Sequence, residues 1–511
     1  MNRALFSSIR ARNSNCSIKP VIAPFSSCSL LTQHPAVSEY YFLTQYQPEG
    51  PRDTRLSSWM IWCSPKKQAT ILCRLSPHPY TPMNWILLLL FLVIIYAVVA
   101  YYIKSKKLFP DHVIFYGPIM AIKTSRVGFF DRFGTIRLFL RLYGTFGVLM
   151  VVLVSVFITA MLVISVRYTL ILQPEPTGIY KPQNILLLPG INEYVPSTIA
   201  VWLAFIITIT VHEFGHGFLC RVENITVKGM GVLLAVIPIG FFVEPDEEEL
   251  EKTKGMPKAR MFGAGITNNL VVGFSCFVLL ILLIGIAVPT TAPVIHGIYK
   301  DYPAYQAGVP QGSVVKMVNG IPVTTRDDVA GILNTKKPGE YVTLQVEKDA
   351  VISDYTFSLA LWPGDLSRPS GFMGVQYYDG ASIKQAIGSM LSPSGFLQFL
   401  IIPFDTSANA QFLRILAFDS PDEQYYEIPF AGYWGVVHLF FWCGWININV
   451  GIFNAIPMIP LDGGYILKEG VDRLLDRRGL LKYAPHIVST VSYVMLFMLM
   501  SLILLPYLLH M

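Results

Sequence analysis

The sequence predicts a polytopic α-helical membrane protein with about six transmembrane helices, a re-entrant β segment and an inserted small α/β soluble domain. Three observations carry that prediction. Of 511 residues, 53% are hydrophobic and only 14% charged, far more apolar than a soluble chain of ordinary composition. Apolar runs of about 20 residues, the length that crosses a bilayer as a helix, recur along the chain. Between two of them the pattern changes to short alternating strands punctuated by Gly and Pro.

Residues 1–82 come first. Up to Glu39 they hold no acidic residue, while Arg3, Arg10, Arg12, Lys19 and several serines resemble a transit peptide. No period is sustained, and Met83 stands directly before an apolar run, so we expect a disordered extension or a mis-assigned upstream start. The crossings are expected near 84–103, 146–168, 197–219, 261–288, 434–456 and 486–508. The membrane domain thus falls into a first part, 83–288, and a second, 434–511. Basic residues orient it, since short cytoplasmic loops carry excess Lys and Arg. Loop 104–145 has Lys104, Lys106, Lys107, Lys123, Arg126, Arg132, Arg137 and Arg141 against Asp111 and Asp131. Loop 465–483 has Lys468, Arg473, Arg477, Arg478 and Lys482. Both are expected to be cytoplasmic, whereas loop 169–196, with Lys181 as its one basic residue, belongs outside. Residues 289–433 then lie outside as well. The run 229–243, "GMGVLLAVIPIGFFV", is apolar but short and broken by glycines and Pro238, and reads as a re-entrant strand or hairpin. Non-helical backbone survives at membrane depth only where protein covers it or it lines a wet cavity. The seven cysteines are scattered without a CxxC pair, so no disulfide framework or cysteine metal site is expected.

Within the third crossing stands "IITITVHEFGHGFL", residues 206–219. Positions four apart share a helix face, so His212 and His216 can offer two imidazole nitrogens to one ion, with Glu213 beside its open position. Ionisable groups inside a membrane are unfavourable unless paired or metal-bound, and mark function by default. A pair of packing histidines is the bland alternative, but the whole HExxH pattern is present. Gly215 and Gly217 let a neighbouring element come close. A catalytic zinc with two histidines needs a third protein ligand and keeps its fourth position for water. Glu223 and the cluster 244–252, "EPDEEELEK", are near in sequence but read as a solvated stretch. His438 lies in the fifth crossing but towards its outer end, the wrong depth. Asp462, in "FNAIPMIPLDGG" (453–464), sits at the inner end, where Pro457 and Pro460 break the helix and Gly463 and Gly464 free the backbone. It is the preferred third ligand, against the alternative of a capping Asp at a helix exit.

HEFGH in one membrane helix, with Asn454, Pro457 and LDGG ending a later one, resembles the site-2 protease family of intramembrane zinc metalloproteases, and its context looks like the archaeal branch. The resemblance covers roughly residues 83–508. It implies that His212, His216 and Asp462 ligate one zinc ion and that Glu213 is the catalytic base. It further implies cleavage of a membrane-anchored substrate, such as an anti-sigma factor, in a prokaryotic cell membrane. Asn269, in "GAGITNNL", matches the asparagine of the family's Gly-Pro-x-x-Asn element and would contact the substrate or the transition state. Here Ile266 stands where the family has proline, and Asn268 is an adjacent rival. Asn454 resembles a substrate-contacting asparagine. A substrate helix must unwind to expose its peptide bonds, and segment 229–243 offers an edge strand for it to pair with.

The soluble module, 290–362, contains "YQAGVPQGSVVKMVNGIPV", which resembles a PDZ domain. Gly308 and Gly312 are expected at tight turns, Val314, Val315 and Val318 in a core strand, and Asn319-Gly320 in a hairpin turn. Thr325 is expected to cap a helix through Leu333. Such folds bind peptide segments at a sheet edge, with a spacer or size filter as the alternative. Residues 363–433 form an extracytoplasmic extension of unread role. Two rival functions remain: a non-catalytic scaffold or chaperone binding peptides through the PDZ-like module, and a zinc transporter, which would need several intramembrane ligand clusters. Nucleic-acid binding has no support, because the basic residues sit in loops that orient the chain.

Overall fold

The computed structural model describes residues 85–510, except 186, 364–368 and 406–410, and before them the short strands Ser17–Ile18, Met60–Cys63 and Gln68–Leu72. The expected nature of residues 1–82 otherwise lies outside the described residues. Two compact units are distinguished, Met1–Val99 and Ala100–Met511. In the first, the three strands pair with Gln68–Leu72 in the middle.

Among the described residues five helices are long and apolar enough to cross a membrane: Phe130–Leu172, Ile199–Val222, Met256–Ile286, Tyr433–Asn454 and Leu481–Leu509. They coincide with the second to sixth expected crossings. The first expected crossing falls on a further apolar helix, described as such over Leu90–Ser105. The second crossing is longer than expected, with a continuous α-helix over Arg137–Leu172. Leu138, Phe139, Leu140 and Leu142 keep its apolar surface going past Arg137 and Arg141. It stops where Gln173 turns left-handed, at φ 45°. Thr198 caps Ile199–Val222 by accepting the Val201 N–H at 3.3 Å. On Arg137–Leu172 the side chains Leu142, Phe146, Leu149, Leu153, Val156 and Phe157 are all exposed. A belt of that kind suits hydrocarbon and not water.

Helix Met256–Ile286 packs against Ile199–Val222, Tyr433–Asn454, Arg137–Leu172 and the short helix Asp462–Asp476. Fully buried Phe277 and Leu280 share one hydrophobic core with Phe441, Trp442 and Trp445 of Tyr433–Asn454, and Phe277 meets Phe441 edge-on at 6.2 Å. The extension that the sequence left unread lies on the same core: Phe399 stacks on Phe277 at 4.4 Å, and the indoles of Trp442 and Trp445 donate to the carbonyls of Ala417 (2.7 Å) and Leu400 (3.0 Å).

The 229–243 segment is a hairpin, β3 (Val227–Ala235) and β4 (Ile237–Pro245), turning at Val236 with φ 72°. Two strands from the basic loop, β1 (Val113–Tyr116) and β2 (Ile119–Thr124), extend it into an antiparallel sheet of order β1-β2-β3-β4. β4 is an edge strand, and it packs against the helix carrying the histidines.

In the inserted module, strands Val314–Val318, Ile321–Pro322, Tyr341–Lys348 and Val351–Ser358 form one antiparallel sheet. Asn319 and Gly320 make the expected turn with positive φ. Thr325 and Asp328 form a reciprocal capping box on helix Arg326–Asn334. Strand Val375–Tyr377 returns to pair with Ile295–Ile298, and Met373 and Val375 join the module core, so the module's packing continues beyond residue 362.

Candidate metal centre

The centre is assembled from three segments. His212, Glu213 and His216 stand on successive turns of Ile199–Val222, Asn268 and Asn269 on Met256–Ile286, and Asp462 at the first turn of Asp462–Asp476. Gly463 and Gly464 let that first turn sit on the preceding chain. A Cβ on either would lie 2.4–2.6 Å from the backbone of Ala455, Ile456, Met458 or Ile459.

Both imidazoles are held from behind. His216 Nδ1 meets the Met261 carbonyl at 2.9 Å, and His212 Nδ1 meets the Asn269 amide at 3.2 Å. A carbonyl only accepts, so His216 Nδ1 carries the proton and its Nε2 presents a lone pair. Asn269 Oδ1 is buried without a partner. Turning the amide over would place that oxygen on a His212 Nδ1–H, which satisfies both groups and gives His212 the same tautomer.

In front, the two Nε2 atoms are 3.2 Å apart, and Asp462 Oδ2 is 3.1 Å from His212 Nε2 and 3.4 Å from His216 Nε2. Asp462 Oδ2 is itself buried and has no hydrogen-bond donor. Three electron-rich atoms at this spacing repel one another unless a cation lies between them. Around a tetrahedral zinc with bonds of about 2.1 Å, neighbouring ligands stand about 3.4 Å apart, so the donor set fits that ion. Space for it is kept by Gly265: an added Cβ would lie 2.6 Å from His216 Nε2 and 2.7 Å from His212 Cε1.

Glu213 is half-buried beside this triangle, and its Oε2 accepts the Val243 N–H of edge strand β4 at 3.0 Å. Asn268, the rival of Asn269, donates to the Val211 carbonyl at 3.1 Å and accepts from Tyr143 Oη at 2.7 Å, so it ties the histidine helix to Arg137–Leu172. Asn454 ends its helix half-buried, and among the described residues its side chain has no partner. Glu223 is not solvated. Its side chain is 2% exposed and pairs with Arg260 at 2.8 Å and Arg141 at 3.2 Å, pinning three helices together. In the acidic cluster, Asp246 caps helix Glu247–Lys252 and pairs with Lys228 at 2.8 Å. His438 lies towards the other end of Tyr433–Asn454, as its position in the chain suggested, and takes no part in this centre. Gly265, Met261 and Val243 were not singled out in the sequence. Gly265 carried a readable signal, since it precedes Asn269 by four and therefore shares its helix face.

The model of peptidase family M50 matches residues 200–500. An uncharacterized protein of Methanocaldococcus jannaschii is 22% identical over 71% of this chain and 83% of its own length. A putative zinc metalloprotease of Clostridium acetobutylicum is 22% identical over 52% of this chain and 83% of its own. The zinc metalloprotease RasP of Shouchella clausii is 29% identical over 43% and 52%, respectively. Among solved structures, the PDZ domain of an SdrC-like protein from Listeria monocytogenes matches at 14% identity and a TM-score of 0.16, over 18% of this chain and 93% of that one. With its HEFGH and LDGG segments inside a family match that covers more than half of its length, the chain belongs to peptidase family M50, the site-2 proteases.

Proposed function

We propose that the chain is an intramembrane zinc metalloendopeptidase that hydrolyses peptide bonds in or near the transmembrane segment of a membrane-anchored substrate. One observation carries the reading: His212 Nε2, His216 Nε2 and Asp462 Oδ2 converge within 3.1–3.4 Å, and both rings are fixed from behind. These three residues hold one zinc. When bound, zinc supplies Lewis acidity towards water and towards a scissile carbonyl. Glu213 takes the proton of the attacking water and delivers it to the leaving amide nitrogen. The Val243 N–H keeps that carboxylate beside the edge of β4. Asn269 orients His212, a positioning role that fits its contact better than direct contact with an oxyanion.

The substrate lies extended along β4. Val243 points its N–H away from the hairpin, so by strand alternation Phe241 does the same and offers a donor to an incoming strand. Asn454, half-buried and without a side-chain partner among the described residues, bonds the same substrate backbone. The arginine- and lysine-rich loops face the cytoplasm, which puts the PDZ-like module on the other side. There it takes up a peptide segment of the substrate's outer portion.

The test is cleavage of single-span test substrates by the purified protein, before and after zinc is stripped and restored. Activity that leaves with zinc and returns with it is expected; full activity of the stripped protein would overturn the reading. Phe241→Pro removes one outward N–H that the hairpin does not need. It should lower cleavage while zinc content stays unchanged, and undiminished cleavage would remove the strand-addition step.

A further inference from the structure

His438 stands towards the opposite end of Tyr433–Asn454 from the HEFGH centre, about 24 Å along the axis from Asn454 at 1.5 Å per residue. Its side chain is only 8% exposed. Nε2 lies 3.1 Å from the Ile415 carbonyl. That contact requires Nε2 to carry a proton, which leaves Nδ1 with a lone pair. Among the described residues Nδ1 has no hydrogen-bond partner, and it faces Asp419 Oδ1 at 3.6 Å, too far for a hydrogen bond. Glu423 Oε1 lies on the other side of the ring, 3.9 Å from Nε2, and also accepts the Ser420 N–H at 3.0 Å. One ligand atom from each of Asp419, Glu423 and His438 lies within 4.8 Å of the others.

We propose that Asp419, Glu423 and His438 form a second metal site, for a zinc ion bound through one nitrogen and two carboxylate oxygens. The ring is supported as His216 is, by donating its far N–H to a backbone carbonyl, the usual arrangement for a metal-ligating histidine. The segment also lacks a fixed cation. Among the described residues no Lys or Arg pairs with Asp419, Asp422 or Glu423. Arg414 turns instead to the carbonyls of Ile402, Pro403 and Asp405 and lies over the Phe418 ring at 4.2 Å. Asp422 pairs with His296 at 3.6 Å. Asp419 is 89% exposed, so it can swing towards Nδ1 without disturbing the core. An imidazole with two carboxylates suits zinc better than calcium or magnesium, which take oxygen ligands. The ion ties the 419–423 turn of the extension to the helix that leads to Asn454, and so braces the extension on the membrane domain.

The test uses the full detergent-purified chain, stripped with chelator, reloaded with zinc chloride and freed of excess ion before zinc is counted. Wild type is expected to hold two ions per chain, Asp419→Asn one and Asp462→Asn one. Because Asp419 is exposed, its variant stays folded even where a change at buried His438 does not. Two ions in Asp419→Asn, or one ion in wild type that Asp419→Asn retains, would overturn the proposal. The two centres fail separately: an ion lost in Asp419→Asn but kept in Asp462→Asn supports this site whatever becomes of the protease reading.

Discussion

In the PDZ-like module Val315, Val318, Val342 and Leu344 are fully buried; Val342 and Leu344 alternate along one strand, and Val315 and Val318 flank a register irregularity in its partner. At the metal centre the residues that matter are half-buried His212, Glu213, His216 and Asp462, and two separate segments bring them together. The module is held by apolar area removed from water, a non-directional term that tolerates imprecision. The centre depends on polar atoms pinned one by one: His216 by the Met261 carbonyl, His212 by Asn269, Glu213 by Val243. A fault in the module should therefore be read in stability, and a fault in the centre in chemistry.

The largest contrast is expected at glycines. Gly265→Ala pushes a methyl group into both imidazoles and should abolish zinc retention and lower cleavage by more than about 100-fold. Gly285→Ala, on the same helix, meets nothing within 4 Å and should leave both unchanged. Equal losses in the two would mean that helix flexibility, and not space for the ion, is at issue. Next, Leu344→Ala in the module core should cost about 2–5 kcal/mol of module stability, followed by thermal or denaturant unfolding, with zinc content intact. A parallel loss of zinc would break the separation between the regions. Asn269→Ala should weaken zinc affinity by about 10–100-fold, read by competition with a chelator, without moving the unfolding transition of the zinc-free protein. The smallest effect is Thr325→Ala, which removes one half of the module's capping box for about 1 kcal/mol and should not alter cleavage.

The same contrast decides what could be read from the sequence. Helix-length apolar runs, the Asn319-Gly320 turn and the Thr325 cap each have a local cause, and the structure has them where that cause put them. Asp462 is legible from the sequence by depth, because it and His212 fall near the same expected side of the membrane. What stayed hidden was tertiary. The basic loop 104–145 carries two short strands whose pairing partner lies more than a hundred residues on. The extension's helices follow no period that distinguishes packing on Trp442 and Trp445 from packing on lipid. Glu223 was set aside as solvated because its neighbours in the chain are charged, while Arg141 and Arg260, which bury it, come from two other helices. The surroundings of His438 are hidden for the same reason, since Asp419 and Glu423 approach it only through the folded turn.

The most direct test compares wild type, Glu213→Gln and Asp462→Asn for zinc content and cleavage in one preparation. The account predicts that Glu213→Gln keeps every ion that wild type holds but cuts at least about 100-fold more slowly, the range that general-base catalysis supplies. Asp462→Asn is predicted to lose one ion together with its cleavage. Glu213→Gln cutting at the wild-type rate, or Asp462→Asn cutting with a full complement of zinc, would contradict it.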